Sequence, residues 1–362
     1  MSDDLSTTDG ASGAATTSAP PDRPGLLRSL AHRLAGDTAA LPVEGRLASF
    51  DGATGWLNSE PLMPENLRGR VVLVDFWTYT CINWLRTLPY VRAWDKKYRD
   101  LGLTVVGVHT PEFGFERDVD NITTQSRIFD VEYPVAIDSD YGVWQAFANH
   151  FWPAIYLADE QGRIRFHHFG EGEYAMTEMV IQQLLVDAGA QGIDLDLVEV
   201  EPHGLEVAAD YGTLRSPESY LGYGQSAGFA SNDVADFDQP HVYAAAARLP
   251  LNYWDLSGNW TVTRHAAVLN EPGGRIAFQF HARDVNLVMG PASKGAATSF
   301  RVYLDGQVVD GAHGTDTEPD GHGTVTDQRT YQLIRQSGQV DDRRFEIEFL
   351  DAGAEAYCFT FG

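Results

Sequence analysis

The sequence predicts two domains of different class, an α/β domain on a mixed central sheet and then an all-β sandwich of jelly-roll type. Three observations predict this. From Val71 to Ala188, apolar runs of strand length alternate with segments of helical period, as in a sheet covered by helices. Beyond an acidic connector at 192–217 the pattern becomes short alternating segments divided by Gly, Asp and Asn turns. The length, 362 residues, is enough for two separate cores.

Composition bounds the function. A hydrophobic share of 43% with 11% aromatics marks a folded chain. No apolar run approaches the roughly 18 residues of a membrane span, and Met1-Ser-Asp-Asp-Leu-Ser opens without the basic and apolar regions of a signal peptide. The expectation is a soluble, cytoplasmic product. A net charge of -25 would repel a phosphate backbone, which argues against nucleic acid as a partner. Two cysteines, Cys81 and Cys358, make no disulfide framework. No Cys/His group has zinc spacing, so neither a metal nor a cofactor is expected.

Taken in order, residues 1–24 are small and polar and read as a disordered tail. In 25–40, Leu26, Leu27, Leu30 and Leu34 stand at helical spacing among Arg28 and Arg33. A short helix packed on the body is expected there, with a membrane-surface helix as the rival. The α/β domain is placed at 41–191. Its lead-in turns through Ser59-Glu-Pro-Leu-Met-Pro-Glu-Asn-Leu67. Val71 to Phe76 is apolar except for Asp75, as suits a central strand covered on both faces. Ile82 to Tyr98 reads as a helix, kinked at Pro89. Strands are expected at Thr104–His109, Tyr133–Ile137, Ala154–Leu157 and Arg163–Phe169, and an amphipathic helix at Tyr174–Ala188. The linker is 192–217 and the sandwich 218–362. Its strands are read at Trp260-Thr-Val-Thr, Arg275-Ile-Ala-Phe-Gln-Phe, Val285-Asn-Leu-Val-Met, Phe300-Arg-Val-Tyr-Leu, Thr330-Tyr-Gln-Leu-Ile and Phe345-Glu-Ile-Glu-Phe-Leu.

The chemistry concentrates in Val71-Val-Leu-Val-Asp-Phe-Trp-Thr-Tyr-Thr-Cys-Ile-Asn-Trp84, a buried strand running into a helix that opens on Cys81. Unpaired N–H groups and the helix dipole at such a terminus favour the thiolate. Asp75, in an otherwise apolar strand, is costly to bury without a role or a partner.

Val74-Asp-Phe-Trp77 followed by Cys81, Pro89 and Pro153 resembles the thioredoxin superfamily. The longer string from Phe76 to Trp94, with Gly107-Val-His-Thr-Pro-Glu-Phe113, resembles the soluble part of DipZ-type proteins, in the branch shared with TlpA-like and redoxin (alkyl hydroperoxide reductase/thiol-specific antioxidant) domains. The likeness runs on through Tyr220-Leu-Gly-Tyr, Phe280–Gly290 and Tyr331–Arg335 to Phe359-Thr-Phe-Gly362. It implies a thioredoxin-like domain followed by a carbohydrate-binding-module-like, galactose-binding-like sandwich, with thiol-disulfide oxidoreductase or antioxidant activity. The implied partners are protein or low-molecular-weight thiols and disulfides, with a glycan at the sandwich. Family members are often extracytoplasmic, and a membrane electron-transfer domain often precedes the two domains; none is read in this chain. The resemblance also implies roles: Cys81 as nucleophile, Asp75 as a proton relay beneath it, Pro153 as a cis-proline whose backbone binds extended substrate, and Trp77 and Trp152 beside that substrate.

One departure matters as much as the match. The family motif is Cys-Ile-Asn-Cys, and here it is Cys81-Ile-Asn-Trp84. Thiol-disulfide exchange forms a mixed disulfide that a second sulfur resolves. Cys358, between Tyr357 and Phe359, reads as an inert core thiol. Three readings stay open: a monothiol oxidoreductase with an external resolving thiol, a single-cysteine peroxidase suggested by Thr78 in Thr-x-x-Cys, and an inert binding or scaffold protein. For Trp84 there are likewise three: shielding Cys81, stacking on substrate, or filling space. In the sandwich, Tyr253, Trp254, Trp260 and Tyr303 are read as core ahead of a sugar platform, and the acidic turn Asp316–Asp320 as a solvated loop ahead of a calcium site.

Overall fold

In the first half of the chain the apolar runs become one mixed sheet. The computed structural model describes residues 41–231 and 237–362, so the expected tail and the helix at 25–40 lie outside the described residues. Contacts divide the chain into two units. The first comprises the described part of Met1–Trp77 with Trp94–Thr110 and Tyr133–Leu197; the second comprises Thr78–Ala93, Pro111–Glu132 and Val198–Gly362.

The first unit holds β1 (Gly45–Arg46), β2 (Gly55–Leu57), β3 (Val71–Trp77), β4 (Leu103–His109), β5 (Val135–Ile137), β6 (Ala154–Ala158) and β7 (Arg163–Phe169). They pair in the order β1-β7-β6-β3-β4-β5-β2. Strands β3, β4 and β5 run parallel, and the remaining pairings are antiparallel. All of β3 is buried, which explains its lack of polar alternation. Val72, Val74 and Phe76 join Val106, Val108 and Tyr156 in a core on one face. The expected strand at Tyr133 starts only at Val135, because Pro134 has no N–H to give to a ladder.

Four α-helices are described: α1 (Ile82–Tyr98), α2 (Val119–Ile128), α3 (Gly142–Ala146) and α4 (Tyr174–Asp187). Helix α1 matches the sequence reading and carries Pro89 in its interior. Within the first unit, Trp94 Nε1 and Tyr98 Oη donate to the buried Glu178 carboxylate of α4 at 3.2 and 2.7 Å. Helices α2 and α3 and the edge strands β1 and β2 were not read from sequence; the two strands span too few residues to show a period.

The second unit holds the antiparallel sandwich. Its strands are β8 (Ser219–Tyr220), β9 (Pro240–Tyr243), β10 (Trp254–Val262), β11 (Ala267–Leu269), β12 (Arg275–Phe280), β13 (Asp284–Pro291), β14 (Thr298–Leu304), β15 (Gln307–Val308), β16 (His322–Val325), β17 (Arg329–Arg335), β18 (Arg343–Phe349) and β19 (Ala354–Phe361). Strand β10 belongs to both leaves. Trp254–Ser257 pairs with β12, and Trp260–Val262 pairs with β11. Gly258 sits at the changeover with φ +96°, a conformation that other residues rarely adopt. Trp254, Trp260, Phe278, Phe345 and Phe359 are fully buried in one core. The two tryptophans are therefore core, and a sugar platform built on them is excluded by their burial.

Candidate functional site

The residues named from sequence fall into two sets, each described in its own unit. In the first unit, Asp75 and Trp77 point to the face of β3 opposite the Phe76 core. Asp75 is fully buried; its register partners are Gly107 on β4 and Ile155 on β6. The ring of Trp77 lies over Gly107, where an added Cβ would come within 2.8 Å of its Nε1. Trp77 also meets the His109 imidazole edge-on, with centroids 4.8 Å apart. His109 is fully buried, and burial pushes its pKa down to about 3.

The Trp152–Pro153 peptide bond is cis, immediately before β6. The Pro153 carbonyl accepts from Gly170 N at 2.8 Å. Trp152 stays half-buried. Its ring packs on Trp144 at 4.2 Å, and its Nε1 donates to the Thr110 carbonyl at 3.1 Å. Thr110 Oγ1 in turn donates to Asp138 at 3.0 Å, and Asp138 also accepts from the Val143 and Trp144 amides at 2.8 Å each. An aromatic wall beside a cis-proline is thus fixed by one carboxylate.

In the second unit, Cys81 stands just before α1. Its N–H donates to the Thr78 carbonyl at 3.2 Å, and its carbonyl accepts from Leu85 N at 3.0 Å. The residue is half-buried and the thiol is free. Trp84, one turn on, is fully buried; its ring meets Phe129 edge-on at 6.0 Å. Of the three roles open for Trp84, burial argues against stacking on a substrate, since no face of the ring is exposed.

The segment before Cys81 is anchored by a residue the sequence reading did not single out. Glu116 is fully buried. Its carboxylate accepts from Thr80 Oγ1 at 2.6 Å and Thr80 N at 3.3 Å, and from the amides of Glu112 and Phe113 at 2.6 and 2.8 Å. Burial still raises its proton affinity. The Thr80 carbonyl accepts from Thr330 Oγ1 on β17 at 2.8 Å. Tyr220 of β8 donates its hydroxyl to Glu112, and Glu218 lies 3.2 Å from the same oxygen. Tyr220 is the register partner of Cys358, which is buried with Phe113, Val288 and Tyr357.

These surroundings oppose the thiolate that the helix terminus favours. Burial, and then the Glu112 carboxylate, push the Cys81 thiol well above its ordinary value. The N–H groups of Trp84 and Asn83 at the helix end pull the other way, and Glu218 adds to the rise. Desolvation and like charge win over the dipole. A hint existed in Glu112 and Glu116, two acids in an aromatic stretch, but the burial of Glu116 is a tertiary fact.

Comparison with known proteins gives four matches of note. Residues 216–362 match the family described as thioredoxin like C-terminal domain. Protein DipZ of Mycobacterium tuberculosis is 37% identical over 257 residues, covering 68% of this chain and 35% of that protein. The chain therefore spans about a third of the length of these curated relatives. Thiol-disulfide oxidoreductase YkuV of Bacillus subtilis is 29% identical over 141 residues, 39% of this chain and 95% of that protein. Among solved structures, a thioredoxin-like protein in its oxidised form covers 41% of this chain and 99% of its own, at 29% identity and a TM-score of 0.38.

Proposed function

We infer from homology with the DipZ proteins, in a chain whose residues 216–362 match the family described as thioredoxin like C-terminal domain, that this protein is a thiol-disulfide oxidoreductase working through one cysteine. The lineage is that of thiol-disulfide oxidoreductases; the monothiol mechanism is our proposal. The observation that carries it is the placement of Cys81 between a buried strand and α1, with a buried tryptophan where the second sulfur of the motif would be. The Cys81 thiolate attacks a disulfide R–S–S–R′, forming Cys81–S–S–R and releasing R′–S⁻. With position 84 lacking sulfur, a second, external thiolate attacks the mixed disulfide and returns Cys81 to its reduced form. Protein or low-molecular-weight disulfides are the proposed substrates. Trp152, the cis-Pro153 backbone and Trp77 are proposed for substrate contact, and Asp75 as the proton relay. We keep 41–191 and 218–362 as the domain boundaries.

Incubation with an aromatic disulfide reporter, followed by mass spectrometry, tests this reading. A mixed disulfide is expected on the Cys81 peptide and is expected to vanish in Cys81→Ser. The raised Cys81 thiol favours a second reading, an inert binding scaffold, and the absence of any adduct at high reporter concentration decides for it.

A further inference from the structure

Within the second unit a polar cleft of about 500 Å³ is lined by the start of α2, the loop 292–297 between β13 and β14, and the turn 326–328 before β17. That is room for a small molecule. Asp118, Asn121 and Gln125 share one side of α2 by their spacing, and all three line the cleft. Asp118 caps the helix, its carboxylate accepting from Asp120 N at 2.8 Å. Asn121 Nδ2 donates to the Phe115 carbonyl at 3.1 Å. Gln125 differs from both. It is only 3% exposed, and its Oε1 has no hydrogen-bond donor among the described residues. An unmet carbonyl oxygen at such burial is costly, so a donor arriving through the cleft gains more there than at a solvated amide.

The charges nearby select the donor. Three carboxylates line the cleft, Asp118 and Asp120 at the start of α2 and Asp327 from the turn, with Arg127 and Lys294 as the cations. The Lys294 side chain is 69% exposed, and its Nζ lies 3.2 Å from Asp120 and 3.6 Å from Asp118. The acid pair therefore already receives an alkylammonium, carried on a solvated loop side chain. An exposed pair of this kind is weak and gives way to a competing cation. The net charge of -25 draws cations toward the chain. An ammonium offers three donors and no acceptor, and carboxylates on two walls suit a ligand with more than one.

We propose that this cleft binds a small linear polyamine. One ammonium replaces Lys294 at Asp118 and Asp120, another faces Asp327, and an N–H donates to Gln125 Oε1. The site uses no residue assigned to the Cys81 chemistry.

The test is isothermal titration calorimetry of spermidine into the full chain, at low salt and at about 0.15 M salt, where exposed charges are screened beyond about 8 Å. Saturable binding of one equivalent is expected to persist at the higher salt. Asp120→Asn and Gln125→Met are each expected to weaken it about tenfold. Lys294→Met removes the resident ammonium and is expected to tighten it severalfold. Gln125→Met keeps the shape and removes an unmet acceptor, so its melting temperature is expected to hold or rise. A fall in melting temperature together with lost binding overturns the proposal, since Gln125 would then support the fold instead of a ligand. If Gln125→Met does not fold, the two surface variants decide: opposite changes in affinity support the proposal, and changes of the same sign overturn it. Absence of binding at the higher salt, or equal affinity in every variant, overturns it as diffuse attraction to an acidic surface. Maltose is the neutral comparator, and saturable heat from maltose with none from spermidine overturns the proposal in favour of a polyol. The measurement does not involve Cys81, so its failure and that of the oxidoreductase reading are separate results.

Discussion

Position 84 decides whether one sulfur or two can act. Trp84 is fully buried against Phe129, three residues after Cys81 and therefore on the same side of α1. Trp84→Cys would supply the missing thiol while removing a large buried side chain. A cavity of that kind costs about 3–5 kcal/mol, so the variant is expected to unfold at lower urea than wild type. It is also expected to turn over a disulfide reporter with an excess of reductant, which wild type does at a far lower rate. Both are measured on one preparation. A destabilised variant with wild-type turnover would mean that more than position 84 has been lost. Residues of this kind were legible because their types are rare in their surroundings: one cysteine at a helix start, one acid in an apolar strand, one proline before a strand. Glu112 was not, since its partner Tyr220 lies 108 residues along the chain.

At the level of elements, period and composition went far. The α1 bounds and strand β7 match the sequence reading, and β3, β4, β6 and α4 differ only at their ends, because each is long enough to bury a face and so carries a pattern. The face opposite the Phe76 core was harder to read, as it is made by register. Gly107 leaves room for the Trp77 ring, and Trp77 then lies against His109. That packing has an acid-dependent consequence. Burial holds the His109 pKa at about 3 in the fold against an ordinary value of 6.5. Between those values the unfolded chain binds a proton that the folded chain does not. The stability contribution is complete above about pH 6.5 and falls by about 1.4 kcal/mol per pH unit as pH drops toward 3. His109→Gln is expected to be less stable than wild type near neutral pH and to lose less on acidification. Urea unfolding at several pH values, followed through the amides of β3 and β4, measures this. Parallel slopes for the two proteins would refute it.

Across the whole molecule, order along the chain and packing divide the protein differently. The segment Thr78–Ala93, which carries Cys81, follows β3 in sequence, yet its contacts place it with Pro111–Glu132 and the sandwich. The bonds are specific: Thr330 to the Thr80 carbonyl, Arg86 to the Phe361 carbonyl at 3.0 Å, and Arg92 to the Phe129 carbonyl at 2.7 Å. No sequence pattern announces them, because each joins residues distant in the chain through a backbone oxygen. If they govern cooperativity, the segment around Cys81 should open together with the sandwich. Phe359→Ala, in the centre of the sandwich core and ringed by Phe278 and Phe345 at 5.1 and 5.5 Å, should weaken that unit by about 3–5 kcal/mol. Hydrogen exchange on the full-length variant is expected to quicken at the Cys81 and Leu85 amides as well as in β13 and β19. The amides of β3 should keep their protection. Should Cys81 and Leu85 instead stay protected along with β3, the segment would belong energetically to the strand that precedes it in sequence.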